Sequence, residues 1–108
     1  MNILFTASEA VPFAASGGLA DVIGSLPKSI NASGNKCCVV IPLYSSISKE
    51  LRSQMTFINN ITVDVSWRKQ YCGIFKYTVE GIDYYFIDNE YYFARDGLYG
   101  FYDDCERF

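Results

Sequence analysis

The sequence predicts an α/β fold in which a parallel sheet is covered by helices and a β-hairpin is inserted into or beside that sheet. Three observations carry this. The short apolar runs Asn2–Ala7 and Cys37–Leu43 are bounded by turn signals, as buried parallel strands are. Between them lie a glycine pair and a stretch of helical period. Further on, apolar and polar residues alternate, and Glu80-Gly81 divides two such stretches as a tight hairpin turn would.

Each element follows from its residues. Ser8 to Ser16 contains Pro12 and has no period, so it reads as a loop. After Gly17-Gly18, the residues Leu19, Val22, Ile23, Leu26 and Ile30 recur at helical spacing and predict one apolar helix face. Pro27 lies inside that pattern, lacks a backbone donor, and is expected to kink the helix or end it early. Asn31 to Asn35 closes the unit. Strand, glycine turn, helix and strand make a βαβ unit with a right-handed crossover. Ser45 to Gln54 predicts a short polar helix. Ile61, Val63 and Val65 alternate with Thr62, Asp64 and Ser66; Tyr71–Val79 and Ile82–Ile87 follow as strands. Asn89 to Tyr102 reads as an aromatic, glycine-punctuated loop. Asp103 to Phe108 has the acids-first pattern of an opening helical turn, so the chain is expected to be cut from a longer one.

Composition narrows the function. The 108 residues give room for one small domain, and 50% hydrophobic content favours a packed core over disorder. Nine tyrosines and eight phenylalanines suit a sheet core and its edges. The formal charge of −3, with no lysine or arginine run, argues against a nucleic-acid surface. A phosphorylated ligand stays compatible, because N–H groups at a helix start hold anions without a basic patch. The absence of histidine removes the commonest general base and metal ligand from this segment. Cys37, Cys38, Cys72 and Cys105 match neither a zinc spacing nor a disulfide framework. They are read as buried free thiols, with Cys37 and Cys38 on opposite faces of their strand. The first residues lack the basic region and cleavage signal of a secretory peptide, and no stretch approaches the roughly 20 apolar residues of a membrane span. A reduced, cytoplasmic protein is the expectation.

The chemistry concentrates in the turn Ala14-Ala15-Ser16-Gly17-Gly18-Leu19-Ala20-Asp21-Val22. Open α/β sheets bind ligands at strand C-termini, and paired glycines let a ligand approach the backbone. The turn is neither a Gly-x-Gly-x-x-Gly fingerprint nor a Walker A loop. Spacing alone fits a structural turn as well as a phosphate cradle. Asp21 in the first helical turn is read, on physics alone, as a partner of the helix dipole. Glu9 at a strand end suits loop ordering better than catalysis. Trp67 and Arg68 could stack on sugar, but a structural aromatic is the simpler reading. Tyr91-Tyr92-Phe93 is either a sugar-stacking platform or a loop anchor.

Phe13-x-x-x-Gly17-Gly18-Leu19-Ala20-Asp21-Val22, preceded by Ser8-Glu9-x-x-Pro12, resembles the N-terminal signature of glycogen and starch synthases, the retaining glycosyltransferases of family 5. The resemblance continues in order through Leu26-Pro27-Lys28, Val40-Ile41-Pro42-Leu43-Tyr44, Trp67-Arg68-Lys69-Gln70-Tyr71 and Phe86-Ile87-Asp88-Asn89. It ends with Asp96-Gly97-Leu98-Tyr99-Gly100 and Asp104-x-Glu106-Arg107-Phe108. It implies part of the N-terminal Rossmann-like domain of a GT-B enzyme, residues 1–108, with no cofactor. The donor would be ADP-glucose and the acceptor an α-1,4-glucan such as glycogen. By position, Gly17 and Gly18 would place backbone donors near the donor's sugar or pyrophosphate, and Asp21 would belong to the sugar site. Tyr92, Phe93 and Arg95 would lie on the loop shaping the acceptor side. The family carries a lysine two residues before the first glycine, and this chain has Ala15 there. Losing that ammonium predicts a drop in donor affinity or rate.

The resemblance places the remaining catalytic groups, including a histidine, outside this segment, so the chain alone is expected to be inactive. Two other readings compete. One is a non-catalytic glucan-binding or docking module; the other is a Rossmann half for a different nucleotide. An open sheet edge in a truncated chain would also favour self-association.

Overall fold

The computed structural model describes residues 1–108. The predicted βαβ unit is present: β1 (Asn2–Thr6), α1 (Gly18–Ala32) and β2 (Lys36–Pro42). A short helix α2 (Lys49–Ser53) leads into three strands, β3 (Thr56–Val65), β4 (Arg68–Val79) and β5 (Ile82–Asp88). Two single turns of helix, α3 (Glu90–Phe93) and α4 (Asp104–Arg107), complete the chain. No helix is long and apolar enough to cross a membrane.

One five-stranded sheet has the order β1-β2-β5-β4-β3. β1 pairs parallel with β2, and β2 with β5, whereas β4 runs antiparallel to both β5 and β3. The inserted hairpin is thus a two-hairpin meander whose last strand joins the parallel half. Glu80 and Gly81 both have positive φ (50° and 80°), the geometry of a two-residue turn whose twist matches the strands. The β3–β4 turn was not legible, because it is made by Ser66 (φ 57°) and Trp67 with no glycine or asparagine to mark it.

Register produces an overhang. Gly73 pairs with Asp88, the last residue of β5, so Arg68 to Cys72 pair only with β3. The hairpin tip therefore extends past the end of β5 by roughly 17 Å at strand rise. It projects over the rim where β1, β2 and β5 end.

The core lies between α1, the Ser8–Ser16 loop and one face of β2 and β5. Val39, Ile41, Ile82, Tyr84 and Phe86 are fully or almost fully buried. Phe13 packs its ring against Phe86 (4.8 Å between centroids) and Tyr84 (5.0 Å), at distances where aromatic pairs gain beyond area burial.

Two expectations for α1 are corrected. The helix runs through Pro27 to Ala32 rather than stopping early, and Pro27 is itself buried in its contact face. That face is Ala20, Ile23, Gly24 and Pro27, while Leu19, Val22 and Leu26 are 43%, 49% and 42% exposed. Small residues win the inner face because the helix approaches the preceding loop closely. A Cβ on Gly24 would collide with the Val11 side chain. Of the expected face, Ile23 is in the core and Ile30 packs against it, so the inner stripe is the expected one rotated toward the smaller residues. The Ser45–Gln54 helix is also shorter than expected, starting from the cap at Ser48, whose Oγ accepts from the Leu51 N–H. All four cysteines are free; Cys37 and Cys72 are buried, but Cys105 is exposed, which corrects the reading of four buried thiols.

Candidate functional site

The loop after β1 is laced into one shape by its own groups. Ala10 and Ala14 exchange backbone hydrogen bonds of 2.9 and 3.0 Å, and the Val11 N–H donates to the Ala20 carbonyl. Phe13, between them, is held in the core. Glu9 is 3% exposed, and its Oε2 accepts from both the Ser16 N–H and the Ser16 hydroxyl at 2.7 Å. That is the loop-ordering role its position suggested. With Glu9, Phe13 and the alanine bridge fixed, Ala15, Ser16, Gly17 and Gly18 are presented outward.

The glycines are informative because nothing in the chain requires them. Gly17 caps α1 with φ −171°, an extended conformation any residue adopts, and supplies no side-chain cap. A Cβ added at Gly17 or Gly18 would meet nothing within 4 Å. The first amides of α1 therefore face outward past two bare backbone positions, with the positive end of the helix dipole behind them. Asp21 stands exposed in the first turn of the same helix. Ala15 is exposed two residues before the glycine pair.

The second loop is bolted to the first. The Tyr44 hydroxyl donates to the Ser8 carbonyl, and the Ser8 and Tyr99 hydroxyls are 2.5 Å apart. Burial pushes the Tyr44 hydroxyl far above the usual phenol range, so it remains a donor. Asn89 caps α3 by accepting from the Tyr92 N–H at 3.0 Å, and its amide donates to the Tyr71 carbonyl at 2.8 Å. One buried side chain thus fixes α3 to the overhanging part of β4.

These contacts settle how the predicted acceptor-side residues sit. Tyr92 and Phe93 are each 4% exposed, and the Tyr92 hydroxyl donates to Glu106 at 2.8 Å. Arg95 grips Asp103 with both terminal nitrogens (2.5 and 2.8 Å) and donates to the Tyr91 carbonyl. Tyr92 and Phe93 are anchors under the loop rather than a stacking platform, and the Arg95 guanidinium is engaged inside the chain. Their burial speaks for the anchor reading of those two rings; Tyr91, Tyr99 and Tyr102 are the exposed aromatics of this loop. Sequence reasoning also missed Arg107. Its side chain is wholly buried, and it donates to the Tyr92 and Leu98 carbonyls and to Asp104.

Arg95 beside Asp103 and Arg107 beside Asp104 hold both carboxyls below the usual aspartate range. A depressed folded value means stability that is present above the unfolded pKa, about 3.9, and lost as pH falls through the folded value. Asp88 acts oppositely: burial, then the neighbouring Glu90, raise its carboxyl, so acid favours that site. Because two depressed groups clamp the loop, its near-ultraviolet circular dichroism is expected to hold from pH 7 to about 5 and to decay only below about 4. A collapse already complete at pH 5 would show that the two pairs do not order the loop.

A mixed sheet whose parallel first crossover presents bare glycine backbone at a helix start is an α/β arrangement of the kind that binds ligands at its strand C-termini. Residues 2–108 match the family described as starch synthase catalytic domain, and the chain belongs to that family. A glycogen synthase of Clostridium botulinum (strain Eklund 17B / Type B) is 56% identical over 108 residues, 100% of this chain and 23% of its own length. One from Bacillus cereus (strain Q1) gives the same identity and coverage. The catalytic domain of Starch Synthase IV from Arabidopsis thaliana, bound to ADP and acarbose, superposes with a TM-score of 0.86 at 25% identity. That match covers 97% of this chain and 22% of the other. The mixed sheet is therefore a part of the GT-B catalytic fold, and the chain spans 23% of the length of these curated relatives.

Proposed function

We propose that this chain forms the donor-binding rim of a retaining glucosyltransferase that extends α-1,4-glucan from ADP-glucose, acting within a longer enzyme. The observation that carries this is the glycine pair. Gly17 and Gly18 answer no steric or conformational need of the chain itself, so their bareness serves a molecule lying against the backbone. Membership of the starch synthase family, and the ADP held by the Arabidopsis relative, give that molecule its chemistry.

In the reaction, a diphosphate departs and the sugar carbon gains positive character. Amides at the start of α1 donate hydrogen bonds toward the phosphates as negative charge grows there, a stabilisation that needs no rearrangement. Asp21, one turn into α1, accepts from sugar hydroxyls. Tyr92, Phe93 and Arg95 act from beneath, holding the acceptor-side loop in shape. The segment has no histidine and does not hold a complete catalytic set, so glucose transfer depends on groups outside it. Unpaired thiols suit a reducing compartment, and we place the enzyme in the cytoplasm on that ground.

Ala15 gives the test. In the full-length enzyme, glucose incorporation into glycogen from ADP-glucose is measured with Ala15 and with Ala15→Lys, and the 108-residue chain serves as the blank. A charge-assisted contact is worth roughly 1.5–3 kcal/mol, so the lysine form is expected to gain about ten- to hundredfold in kcat/KM. No incorporation by either form, from ADP-glucose or UDP-glucose, would sink the transferase reading.

A further inference from the structure

Burying a carboxylate costs free energy unless it is well bonded. Glu9 is 3% exposed, and no lysine or arginine pairs with it. Its hydrogen bonds all go to one residue, Ser16, whose N–H and hydroxyl share the Glu9 Oε2. Ser16 is itself exposed, so water would satisfy both donors if the carboxylate were absent. The bonds to Ser16 therefore give stability little reason to bury a charge here. What the charge does is fix where the Ser16 peptide points.

Glu9 is aimed by its neighbours in the chain. On one side, the Ser8 carbonyl accepts from the Tyr44 hydroxyl and the Ser8 hydroxyl meets that of Tyr99. On the other, Ala10 is bonded through its backbone to Ala14. The carboxylate thus starts from a held backbone and reaches across the loop to Ser16, so its length sets the position of that residue. The amide of Ser16 is taken up in this way, while those of Gly17 and Gly18, next in line, donate to no group of the loop. Glu9 thereby settles which N–H groups at the start of α1 are left for a ligand. Without the tie, the Ser16 peptide is free to turn, and Gly17 beside it offers no steric resistance.

From this we propose that Glu9 is a positioning residue for glucose transfer, keeping the Gly17 and Gly18 amides on the donor by its reach and not by its charge. The role rests on the donor-rim reading above. A negative charge close to a diphosphate gives no attraction of its own, so glutamate is suited here by the length of its stem and by an oxygen that accepts twice. Aspartate has the charge without the length, and glutamine has the length without the charge.

The test uses the full-length enzyme and three variants, Glu9→Ala, Glu9→Gln and Glu9→Asp. For each, kcat and KM are measured for ADP-glucose and for glycogen, together with the melting temperature. Glu9→Ala is expected to lose about ten- to hundredfold in kcat/KM for ADP-glucose, the scale of a small misplacement of binding groups. Its KM for glycogen and its melting temperature should stay close to those of the parent, because Phe13 and the Ala10–Ala14 bonds still hold the loop. Glu9→Gln, whose amide oxygen accepts the same two bonds, is expected to stay near the parent, and Glu9→Asp to fall with Glu9→Ala. The reverse pattern, with aspartate active and glutamine not, would overturn the proposal by showing that charge is what matters. Losses that follow the melting temperature in all three variants would overturn it too, leaving Glu9 a part of the scaffold only. Glu9→Ala at the parent's level, in an enzyme that transfers glucose, would refute the positioning role and leave the donor rim standing. A parent that transfers nothing from ADP-glucose or UDP-glucose would take both away.

Discussion

Gly18→Val is expected to cut kcat/KM for ADP-glucose in the full-length enzyme by about 10²–10³-fold, the scale of losing one preorganised donor to a developing charge. Its thermal unfolding should stay close to that of the parent. The two halves of this expectation come from the same fact. A Cβ at position 18 meets nothing of the chain within 4 Å, so the folded state has room for the side chain. Valine is also a better helix former than glycine, so stability does not suffer from the exchange. The branched side chain can collide only with a molecule lying against the amides of α1. Kinetics and melting measured on one preparation decide the matter. Activity within about threefold of the parent would mean that no ligand approaches here, and the donor assignment would fail with it.

Arg107→Met is expected to have the largest effect on folding, about 3–5 kcal/mol, because removing one partner of a buried charge network leaves the others uncompensated. That is a large share of the 5–15 kcal/mol by which domains are stable. The Arg107 side chain has no exposure. Its Nε donates to the Tyr92 carbonyl at 2.7 Å and its Nη1 to the Leu98 carbonyl at 2.9 Å. Its guanidinium also lies 4.8–5.7 Å from the ring centres of Phe93, Phe101 and Phe108. Methionine replaces the stem but abandons both carbonyls in a dry site. Arg107→Lys should recover little, since a point charge cannot span two acceptors as a planar fork does. Urea unfolding followed by far-ultraviolet circular dichroism provides the measurement. A change below about 1 kcal/mol would show that the loop holds without its central tie.

Local signals made much of the fold legible. The two apolar runs, the glycine turn between them and Glu80-Gly81 each carry their own chemistry, and the structure places them as that chemistry predicts. Failures came where the deciding partner is far away in sequence. Nothing near Leu19 or Val22 announces that Val11 will press on Gly24 and turn the smaller residues inward. Tyr92 and Phe93 have the composition of a sugar platform, and only their packing under the loop, with Arg107 reaching back from fifteen residues on, makes them anchors. Glu9 was read correctly because its partner, Ser16, is close by. At the glycine pair, sequence alone left turn and cradle level. The empty space around both positions is what the proposed donor site rests on.

The irregularity in β3 has a consequence for the molecule's solubility. β3 is an outer strand, and Phe57, Ile58, Ile61 and Val63 on it are all more than a third exposed. Such a strand invites another chain to extend the sheet without limit. Its pairing with β4, however, slips between Phe57 and Asn59, and a bulge bends and twists the strand that carries it. The free row of amides and carbonyls is thereby broken behind Phe57-Ile58, and Asn59, Asn60 and Asp64 interrupt the apolar sequence that remains. An incoming strand would find only a short, skewed template with a charge on it. The slip that looks like a defect in the ladder is thus a guard against fibrous aggregation.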